Sequence, residues 1–283
     1  MLCADNYMSA FEFDEIGYWS EVKLDIIKDY AKEYSKILAN QKWCKGHYYV
    51  DAFAGAGIHI SKATGELVAG SPLNALNTTP PFDGYHLIDL DSGKAENLRK
   101  IAEDIPNVKI YQDDCNKVLL EEVFPLLSPD RHTRGLCLLD PYGLHLNWAS
   151  IQKAGQLGTV EIFLNFPVAD INRNALWHNR DKVKPDQVER MTAFWGDASW
   201  LDIAYDNKGD LFGYPTKNNN ETIAEAFRQR LKDIAGFEHV PKPIPMRNSN
   251  NAIVYYLYFA SPNATGHKIV QHIFNKYRNQ GVT

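Results

Sequence analysis

The chain has 283 residues, and its 30 Lys and Arg against 35 Asp and Glu give a formal net charge of −5. Hydrophobic residues make up 45% of the chain and charged residues 23%, which is the balance of an ordinary globular protein and not of a disordered segment. No apolar run approaches the ~20 residues that a membrane-spanning helix needs, so we expect no membrane association.

The charge is unevenly distributed along the chain. Residues 241–283 contain five basic residues and no acid, so the first 240 residues carry a formal charge of −10. This distribution excludes a uniformly basic coat for nucleic acid but allows a local basic face. We interpret the acid-free segment either as a surface for a partner or nucleic acid, or as a strand and a helix with neutral polar faces.

The four cysteines, Cys3, Cys44, Cys115 and Cys137, form no CxxC pair. Their spacing indicates neither a disulfide framework nor a structural zinc site, and we expect no metal. The first fifteen residues also lack the basic start and apolar run of a secretory signal. We therefore expect reduced, mostly buried thiols in a cytoplasmic protein.

The first part of the chain alternates helices with short apolar strands. Apolar periodicity predicts a helix over 19–38, then strands at 47–53, 84–90, 108–111, 136–139 and 160–166, with helices at 73–77, 92–103, 117–127 and 148–154 between them. Residues 58–70 are predicted to be irregular, and Ser71 is predicted to cap the helix that contains Pro72. Continuous apolar strands separated by helices indicate a parallel sheet covered on both faces.

The last part of the chain has a different pattern. Helices are predicted at 186–195 and 221–235, a strand at 252–260 and a final helix at 266–277. Residues 237–246 carry three alternating prolines, which fit only an edge strand or an extended segment. We interpret 1–283 as a single domain with an N-terminal helical extension at about 15–40 and helical insertions at about 170–235.

Polar residues follow each predicted parallel strand at the point where it ends. They are Asp51 with the glycine turn DAFAGAG, Asp89 with Asp91, Asp113 with Asp114, Asp140 with Tyr142, and Asn165. Ligands of open parallel sheets bind at the carboxyl ends of the strands, which all lie along one edge. The convergence of these residues therefore predicts a ligand site at that edge.

The glycine turn after the first strand is the first part of this site. Gly55 and Gly57 allow the backbone to turn tightly and to approach a ligand closely. The turn lacks the third glycine of the dinucleotide fingerprint, which argues against NAD as the ligand. A ligand that has no pyrophosphate is still compatible with the turn. A purely structural turn is the alternative.

The acids after the next two strands suit a nucleoside. Asp89 can accept both hydroxyls of a ribose, whereas Asp91 more naturally caps the following helix. Asp114 can accept from the exocyclic amine of an adenine. Asp113 is the alternative for that role, and a solvated loop acid is an equal interpretation.

The sequence Asp140-Pro141-Tyr142-Gly143 places a carboxylate and an aromatic ring at one rim, because the proline fixes the chain as it leaves the strand. An acceptor beside a stacking ring suits an amine on a planar base. The alternative is a strand-end turn with Tyr142 packed on the core.

Residues on either side of this rim can contribute to an acceptor pocket. Asn165 and Arg173 follow the fifth strand and can shape such a pocket, or they cap a loop and pair at the surface. Trp19 and Lys23 lie one helical turn apart and can cover a cofactor. A packed Trp with a solvated Lys is the preferred interpretation of that pair.

The order of these motifs resembles the class I S-adenosylmethionine-dependent methyltransferases. The resemblance implies a Rossmann-like three-layer α/β sandwich, with a mostly parallel sheet and an antiparallel edge strand supplied by a terminal hairpin. It also implies that S-adenosylmethionine has its sulfonium directed toward Asp140 and Tyr142. The implied cofactor-binding residues are Asp51, Phe53, Gly55, Gly57, Asp89 and Asp114.

A narrower resemblance covers nearly the whole chain. The stretches YYVDAFAGAG, LIDLD, LLDPYG, FLNFPVADINR and YLYFASPNATGHKI are similar, in this order, to the three-Cys-motif partner (TcmP) proteins. This resemblance implies a partner protein with a three-cysteine, iron–sulfur-like motif. The leading hypothesis is a methyltransferase whose acceptor is unknown, such as a nucleic-acid base or a product of the partner. The alternative is a non-catalytic subunit that binds nucleic acid or assembles with that partner.

Overall fold

The computed structural model describes residues 13–177, 182–206 and 216–279. Its strands are β1 (Glu15–Ile16), β2 (Gly46–Asp51), β3 (Ile58–Ser61), β4 (Leu67–Ala69), β5 (Gly84–Ile88), β6 (Val108–Tyr111), β7 (Thr133–Leu139), β8 (Val160–Phe166), β9 (Tyr205–Asp206), β10 (Thr216–Lys217), β11 (Ile244–Arg247) and β12 (Ile253–Ala260). Its α-helices are α1 (Tyr18–Ala39), α2 (Ser71–Leu76), α3 (Ser92–Ile101), α4 (Cys115–Val118), α5 (Trp148–Leu157), α6 (Val168–Asn174), α7 (Pro185–Trp195), α8 (Trp200–Ala204), α9 (Asn220–Asp233) and α10 (Ala264–Asn279).

The central sheet has seven strands in the order β11-β12-β8-β7-β2-β5-β6. Strands β6, β5, β2, β7 and β8 pair in parallel, and β12 runs antiparallel between β8 and β11. The parallel sheet and the terminal hairpin are therefore confirmed. The antiparallel strand lies one place in from the edge, because β11 occupies the edge and runs in the direction of β8.

Helices cover both faces of the sheet because its strands alternate apolar side chains between two cores. Val50, Cys137 and Ile162 belong to the core formed with α4 to α9. Tyr49, Leu136 and Phe163 face the other core, which is formed with α1, α2, α3 and α10. The result is the predicted three-layer α/β arrangement.

The segment predicted as irregular after the glycine turn is a β-hairpin, so that prediction was wrong. Strands β3 and β4 pair antiparallel, and β3 also pairs in parallel with β1, with Ile60 opposite Glu15. The hairpin is stabilised by pairing with a segment more than forty residues earlier in the chain, and local pattern does not reveal such a partner. Thr64-Gly65 between two short apolar runs was the available hairpin signal.

Some element boundaries differ from the predictions for local reasons. α4 starts at Cys115 because Asp114 caps it, and the chain continues through a π-helical turn at Leu119–Val123 and a 3₁₀ turn at Phe124–Leu126. β7 starts at Thr133 because its first three residues pair in the sheet without being apolar. The proline segment contributes an edge strand, as predicted, with Pro245 opposite Tyr256.

Two basic residues of the acid-free segment make contacts within the protein. Lys276 Nζ lies 2.9 Å from Asp29 Oδ2 of α1, and the Arg278 guanidinium donates to the carbonyl of Lys242 at 2.9 Å. These contacts attach α10 to α1 and to the terminal hairpin. Cys44, Cys115 and Cys137 are free thiols, while Cys3 lies outside the described residues.

The core on the α9 side supports a stability prediction. The ring of Phe227 lies 4.7 Å from that of Phe166 and 5.6 Å from that of Phe194, centroid to centroid, and it is fully buried. Phe227→Ala should lower the free energy of unfolding by about 3–5 kcal/mol, because it leaves a cavity among aromatic rings. Urea denaturation measures this value. Leu67→Ala, at a side chain that is 54% exposed, is the control and should change stability by less than about 0.5 kcal/mol.

Candidate functional site

The carboxyl ends of β2, β5, β6, β7 and β8 border two neighbouring cavities. The first, of about 470 Å³, is lined by four acids, Asp89, Asp91, Asp113 and Asp114, and we call it the acidic cavity. The second, of about 430 Å³, lies beside the start of α1, and we call it the α1 cavity. Phe53 and Tyr142 line both cavities and form the boundary between them.

The glycine turn is tied to the neighbouring strand through Asp89. Its Oδ2 accepts from the Gly55 amide at 2.8 Å, and its Oδ1 accepts from the Asp91 amide at 2.9 Å. Gly55 and Gly57 have φ values of 65° and 83°, which favour glycine. Each carboxylate oxygen of Asp89 retains a further lone pair, so the anchored side chain can still accept from a ligand in the acidic cavity.

The other acids of this cavity are helix caps or surface pairs as well as lining residues. Asp91 caps α3 by accepting from the Lys94 amide at 2.9 Å, as its spacing predicts. Asp114 Oδ1 accepts from the amides of Asn116 and Lys117 at the start of α4. Asp113 lies 2.6 Å from Lys117 Nζ, and this contact lowers the pKa of the Asp113 carboxyl.

Two apolar side chains complete the acidic cavity. Leu90 is 73% exposed and Tyr142 is 62% exposed, and both line the cavity beside the carboxylates. The alternative in which Tyr142 packs on the core is therefore wrong. A planar ring bound between these side chains would remove their apolar surface from water.

Asp51 lies behind the glycine turn and lines neither cavity. It is fully buried and accepts from the Tyr49 hydroxyl and the Phe53 amide, each at 3.3 Å. Burial raises the pKa of the Asp51 carboxyl to about 7, although a hydrogen bond with the Ser71 side chain opposes the shift. Ser71 does not cap α2 as predicted, because Gly70 holds the cap position and the Ser71 side chain bonds to Asp51 instead.

An ion pair crosses the α1 cavity. Lys23 Nζ donates to Asp140 Oδ2, and Asn165 Nδ2 donates to Asp140 Oδ1 at 2.8 Å. Lys23 is only 8% exposed, so the preferred interpretation of a solvated lysine was wrong. Its ammonium lies 5.5 Å from the ring centroid of Tyr255, whose hydroxyl donates to the Trp19 carbonyl at 3.1 Å. α1 is thereby held over the ends of β7, β8 and β12.

Two buried polar atoms in the lining of the α1 cavity have no hydrogen-bond partner in the part of the chain that is described. They are Asn165 Oδ1 and His59 Nδ1. Burial, and then the charge of Lys23, lower the pKa of the His59 imidazole, so His59 is neutral near pH 7. Sequence reasoning missed His59 because it lies on β3, in the stretch that was predicted to be irregular.

Arg173 lies apart from both cavities. It is exposed on α6, and its carbonyl accepts from the Trp177 indole nitrogen at 2.5 Å. Asp170 on the same helix lies near the Asp140-Pro141-Tyr142-Gly143 turn instead. Gly143 has a φ of 67°, and a Cβ there would come within 2.9 Å of Asp170 Oδ2. The turn therefore needs glycine both for its conformation and for its close contact with α6.

The chain matches no family model and no curated protein. Among solved structures it is similar to protein LPL1258 of Legionella pneumophila, from the family DUF519. The TM-score is 0.53 at 15% identity, over 92% of this chain and 94% of that one. It also resembles, less closely, a SAM-dependent methyltransferase of Leishmania major (TM-score 0.39, 10% identity, 84% of this chain and 72% of that one). The carbon methyltransferase CurJ gives a TM-score of 0.42 at 10% identity, over 84% of this chain and 54% of that one.

The strand order and the similarity to LPL1258 define the fold class. The protein has a mixed α/β, Rossmann-like fold with a seven-stranded, mostly parallel sheet. At these identities the similarity concerns the fold alone. Within residues 13–177, 182–206 and 216–279, no group of His, Cys, Asp and Glu side chains is arranged to hold a metal ion. No helix of those ranges is long and apolar enough to cross a membrane.

The raised pKa of Asp51 predicts a pH-dependent stability. Its carboxyl has a pKa of 3.8 when unperturbed and about 7 in the folded protein, so the folded state holds a proton that the unfolded state loses. The wild type should therefore lose stability relative to Asp51→Asn as the pH rises from about 4 to about 7, by at most about 1.4 kcal/mol per pH unit. Urea denaturation of both proteins across this range measures the difference. Parallel stability curves would show that Asp51 ionises normally in the folded state.

Proposed function

We propose that the protein is an S-adenosylmethionine-dependent methyltransferase that holds the nucleoside half of the cofactor in the acidic cavity and the methyl acceptor in the α1 cavity. When bound, this cofactor supplies an electrophilic methyl group to a nucleophile. The observation that carries the proposal is the meeting of the two cavities at Phe53 and Tyr142, beside the glycine turn. This arrangement gives one site for a nucleoside and an adjoining site for a second reactant.

The residues of the acidic cavity fit the nucleoside. Asp89 has spare lone pairs for ribose hydroxyls, and Asp113 or Asp114 can accept from an exocyclic amine. Leu90 and Tyr142 offer apolar surface for the base. Four carboxylates in the lining also favour a positively charged ligand, because the lysine among them, Lys94, is already paired with Asp14 at 2.7 Å.

The residues of the α1 cavity suit an acceptor that carries N–H groups. Asn165 Oδ1 is buried and has no hydrogen-bond partner within the described ranges, and Asp140 presents a carboxylate beside it. Both are acceptors, so they would orient an amine and stabilise the positive charge that develops on it. Since methyl transfer needs little covalent help, alignment of the reactants supplies most of the rate. An amine on a nucleic-acid base is the acceptor that this pair fits best.

The sequence motifs extend the proposal to a family and a partner. Their similarity to the TcmP proteins leads us to assign the chain to that family, with a three-cysteine partner protein as the companion of the enzyme. The free thiols of Cys44, Cys115 and Cys137 support a reducing compartment, and we place the protein in the cytoplasm.

One observation favours a second candidate, a non-catalytic subunit that assembles with the partner or binds nucleic acid. Both carboxylate oxygens of Asp140 already accept hydrogen bonds, one from Lys23 and one from Asn165. A carboxylate neutralised in this way is a weaker acceptor for a substrate amine. In this alternative, the Lys23–Asp140 pair holds α1 on the sheet and has no role in chemistry.

Cofactor binding can be measured directly. Titration calorimetry should show binding of S-adenosylmethionine and of its demethylated product, and Asp89→Asn should weaken both by at least about tenfold, because a charge-assisted acceptor is lost. Asp104→Asn, at an exposed acid after α3, is the matched control and should leave the affinity unchanged. Absence of heat at high micromolar cofactor would overturn the proposal.

A substitution at Asp140 separates the two candidates. We expect Asp140→Asn to retain the cofactor affinity of the wild type and to lower methyl incorporation by about 10²-fold or more. Tritium transfer from labelled cofactor to total cellular RNA, with the three-cysteine partner present, measures this incorporation. Absence of methyl incorporation by the wild type, together with undiminished function of the complex after Asp140→Ala, would instead support the assembly subunit.

A further inference from the structure

The opposite edge of the sheet, where the parallel strands begin, contains a second pair of cavities. They have volumes of about 230 Å³ and 340 Å³ and lie between the end of α1, the start of β8 and the start of α10. Tyr34, Leu38, Trp43, Glu161 and Asn263 line both, so the two form one continuous depression. Its position is independent of the acidic and α1 cavities, which lie at the other ends of the same strands.

A buried carboxylate and an unpartnered hydroxyl line this depression. Glu161 accepts from the Tyr30 hydroxyl and from Ser261 Oγ at 2.9 Å, on different oxygens, and each oxygen retains a lone pair. The Tyr34 hydroxyl is buried and has no hydrogen-bond partner among the residues that the structure describes. A buried polar group without a partner has a free-energy cost, because it has given up its hydrogen bonds to water. A ligand that supplies hydrogen bonds would recover this cost.

The backbone makes room for the carboxylate. Gly266 lies in the first turn of α10, and a Cβ at this position would come within 2.7 Å of Glu161 Oε1 and 2.6 Å of the Tyr30 hydroxyl. Burial raises the pKa of the Glu161 carboxyl to about 7, and the hydrogen bonds from Tyr30 and Ser261, followed by the charge of Arg134, oppose the shift. The free lone pairs of the Glu161 carboxyl can accept from N–H donors.

Trp43, Arg134 and the exposed Glu238 line the depression, and further cations lie on the turns next to Trp43 and Arg134. Trp43 is 44% exposed, and the Arg134 guanidinium lies 4.6 Å from its ring centroid. The Lys45 amide donates to the His132 carbonyl at 2.9 Å, which joins the turn before β2 to the turn before β7. We call the exposed cations of these turns, Lys42, Lys45 and Arg131, together with Arg134, the basic rim.

An exposed indole beside several cations is the combination that binds single-stranded nucleic acid. Aromatic side chains stack on bases of any sequence, while Lys and Arg neutralise the phosphates. The Glu161 carboxylate in the lining of the depression would favour bases that present N–H donors. Guanine presents two adjacent donors, N1–H and the N2 amine, and is the base that fits a carboxylate acceptor best.

We propose that this edge of the sheet binds single-stranded RNA, with a guanine stacked on Trp43 and its donor edge directed at Glu161 and the Tyr34 hydroxyl, while the basic rim contacts the phosphates. An arginine side chain of a protein partner offers similar donors. An arginine ligand is disfavoured because the Arg134 guanidinium already lies beside the Trp43 ring and would repel a second positive charge there.

Fluorescence anisotropy with two labelled RNA octamers, (UG)₄ and (UA)₄, tests the proposal on the full-length protein. We expect (UG)₄ to bind at least about tenfold more tightly than (UA)₄ at low salt, and both affinities to fall as salt rises. Trp43→Ala should weaken both octamers by about tenfold or more, since stacking is lost.

Tyr34→Phe is the sharpest variant, because it removes a hydroxyl that makes no hydrogen bond within the described residues while it keeps the ring. It should reduce the preference for (UG)₄ and leave the thermal midpoint unchanged or higher. A purely structural role for Tyr34 would leave the preference intact. Lys42→Glu should weaken both octamers, and Lys28→Glu, the same change at an exposed lysine in the middle of α1, is the matched control.

The remaining outcomes are equally decisive. If GMP displaces the labelled octamer as strongly as unlabelled (UG)₄ does, the guanine site is supported, but its ligand is a free nucleotide and not RNA. Binding that is unaffected by both Trp43→Ala and Tyr34→Phe, or binding of an arginine-rich peptide with no binding of either octamer, overturns the proposal. Because cofactor titration reports only the other edge of the sheet, failure here leaves the proposed methyl transfer untouched.

Discussion

The parallel pairing of β2 with β5 and with β7 is the constraint on which the candidate site depends. In these registers Asp51 lies opposite Leu87 on one side and Leu138 on the other. Asp89 and Asp140 each follow two residues later, so the two carboxylates leave the sheet on either side of Phe53. A shift of one residue in either pairing would turn these side chains to the wrong faces of the sheet. Residues nearly ninety positions apart therefore meet only through the register.

A second layer of interactions holds this edge in place from above. α1 reaches across the strand ends through Lys23, which pairs with Asp140, and through Trp19, whose carbonyl accepts from Tyr255. The β3–β4 hairpin closes another side and brings His59 into the α1 cavity. Neither element belongs to the minimal alternation of strands and helices, yet together they determine the shape and the polarity of the α1 cavity.

The two edges of the sheet differ in charge as well as in shape. Carboxylates collect where the parallel strands end, and the cations of the basic rim collect where β2 and β7 begin. Opposite potentials on opposite edges allow a positively charged small molecule and a polyanion to bind the same domain without competing. The overall charge of −5 does not show this separation, because it sums all the charged residues of the chain.

Local pattern was sufficient for the sheet, the flanking helices and the positions of Asp89, Asp114 and Asp140, because apolar strands and strand-end acids are encoded in adjacent residues. It was insufficient wherever a residue acquires its role from a distant neighbour. The pattern predicts a solvated Lys23, but its ammonium pairs with Asp140 and the side chain is buried. It predicts Ser71 as a helix cap, but the Ser71 side chain forms a hydrogen bond with Asp51. It predicts an irregular segment at 58–70, but β3 in that segment pairs with β1.

The sequence by itself determined which residues form strands and which polar groups end them. Only the tertiary structure decided which of those groups face each other, since charge pairing and burial are properties of contacts between segments far apart in the chain.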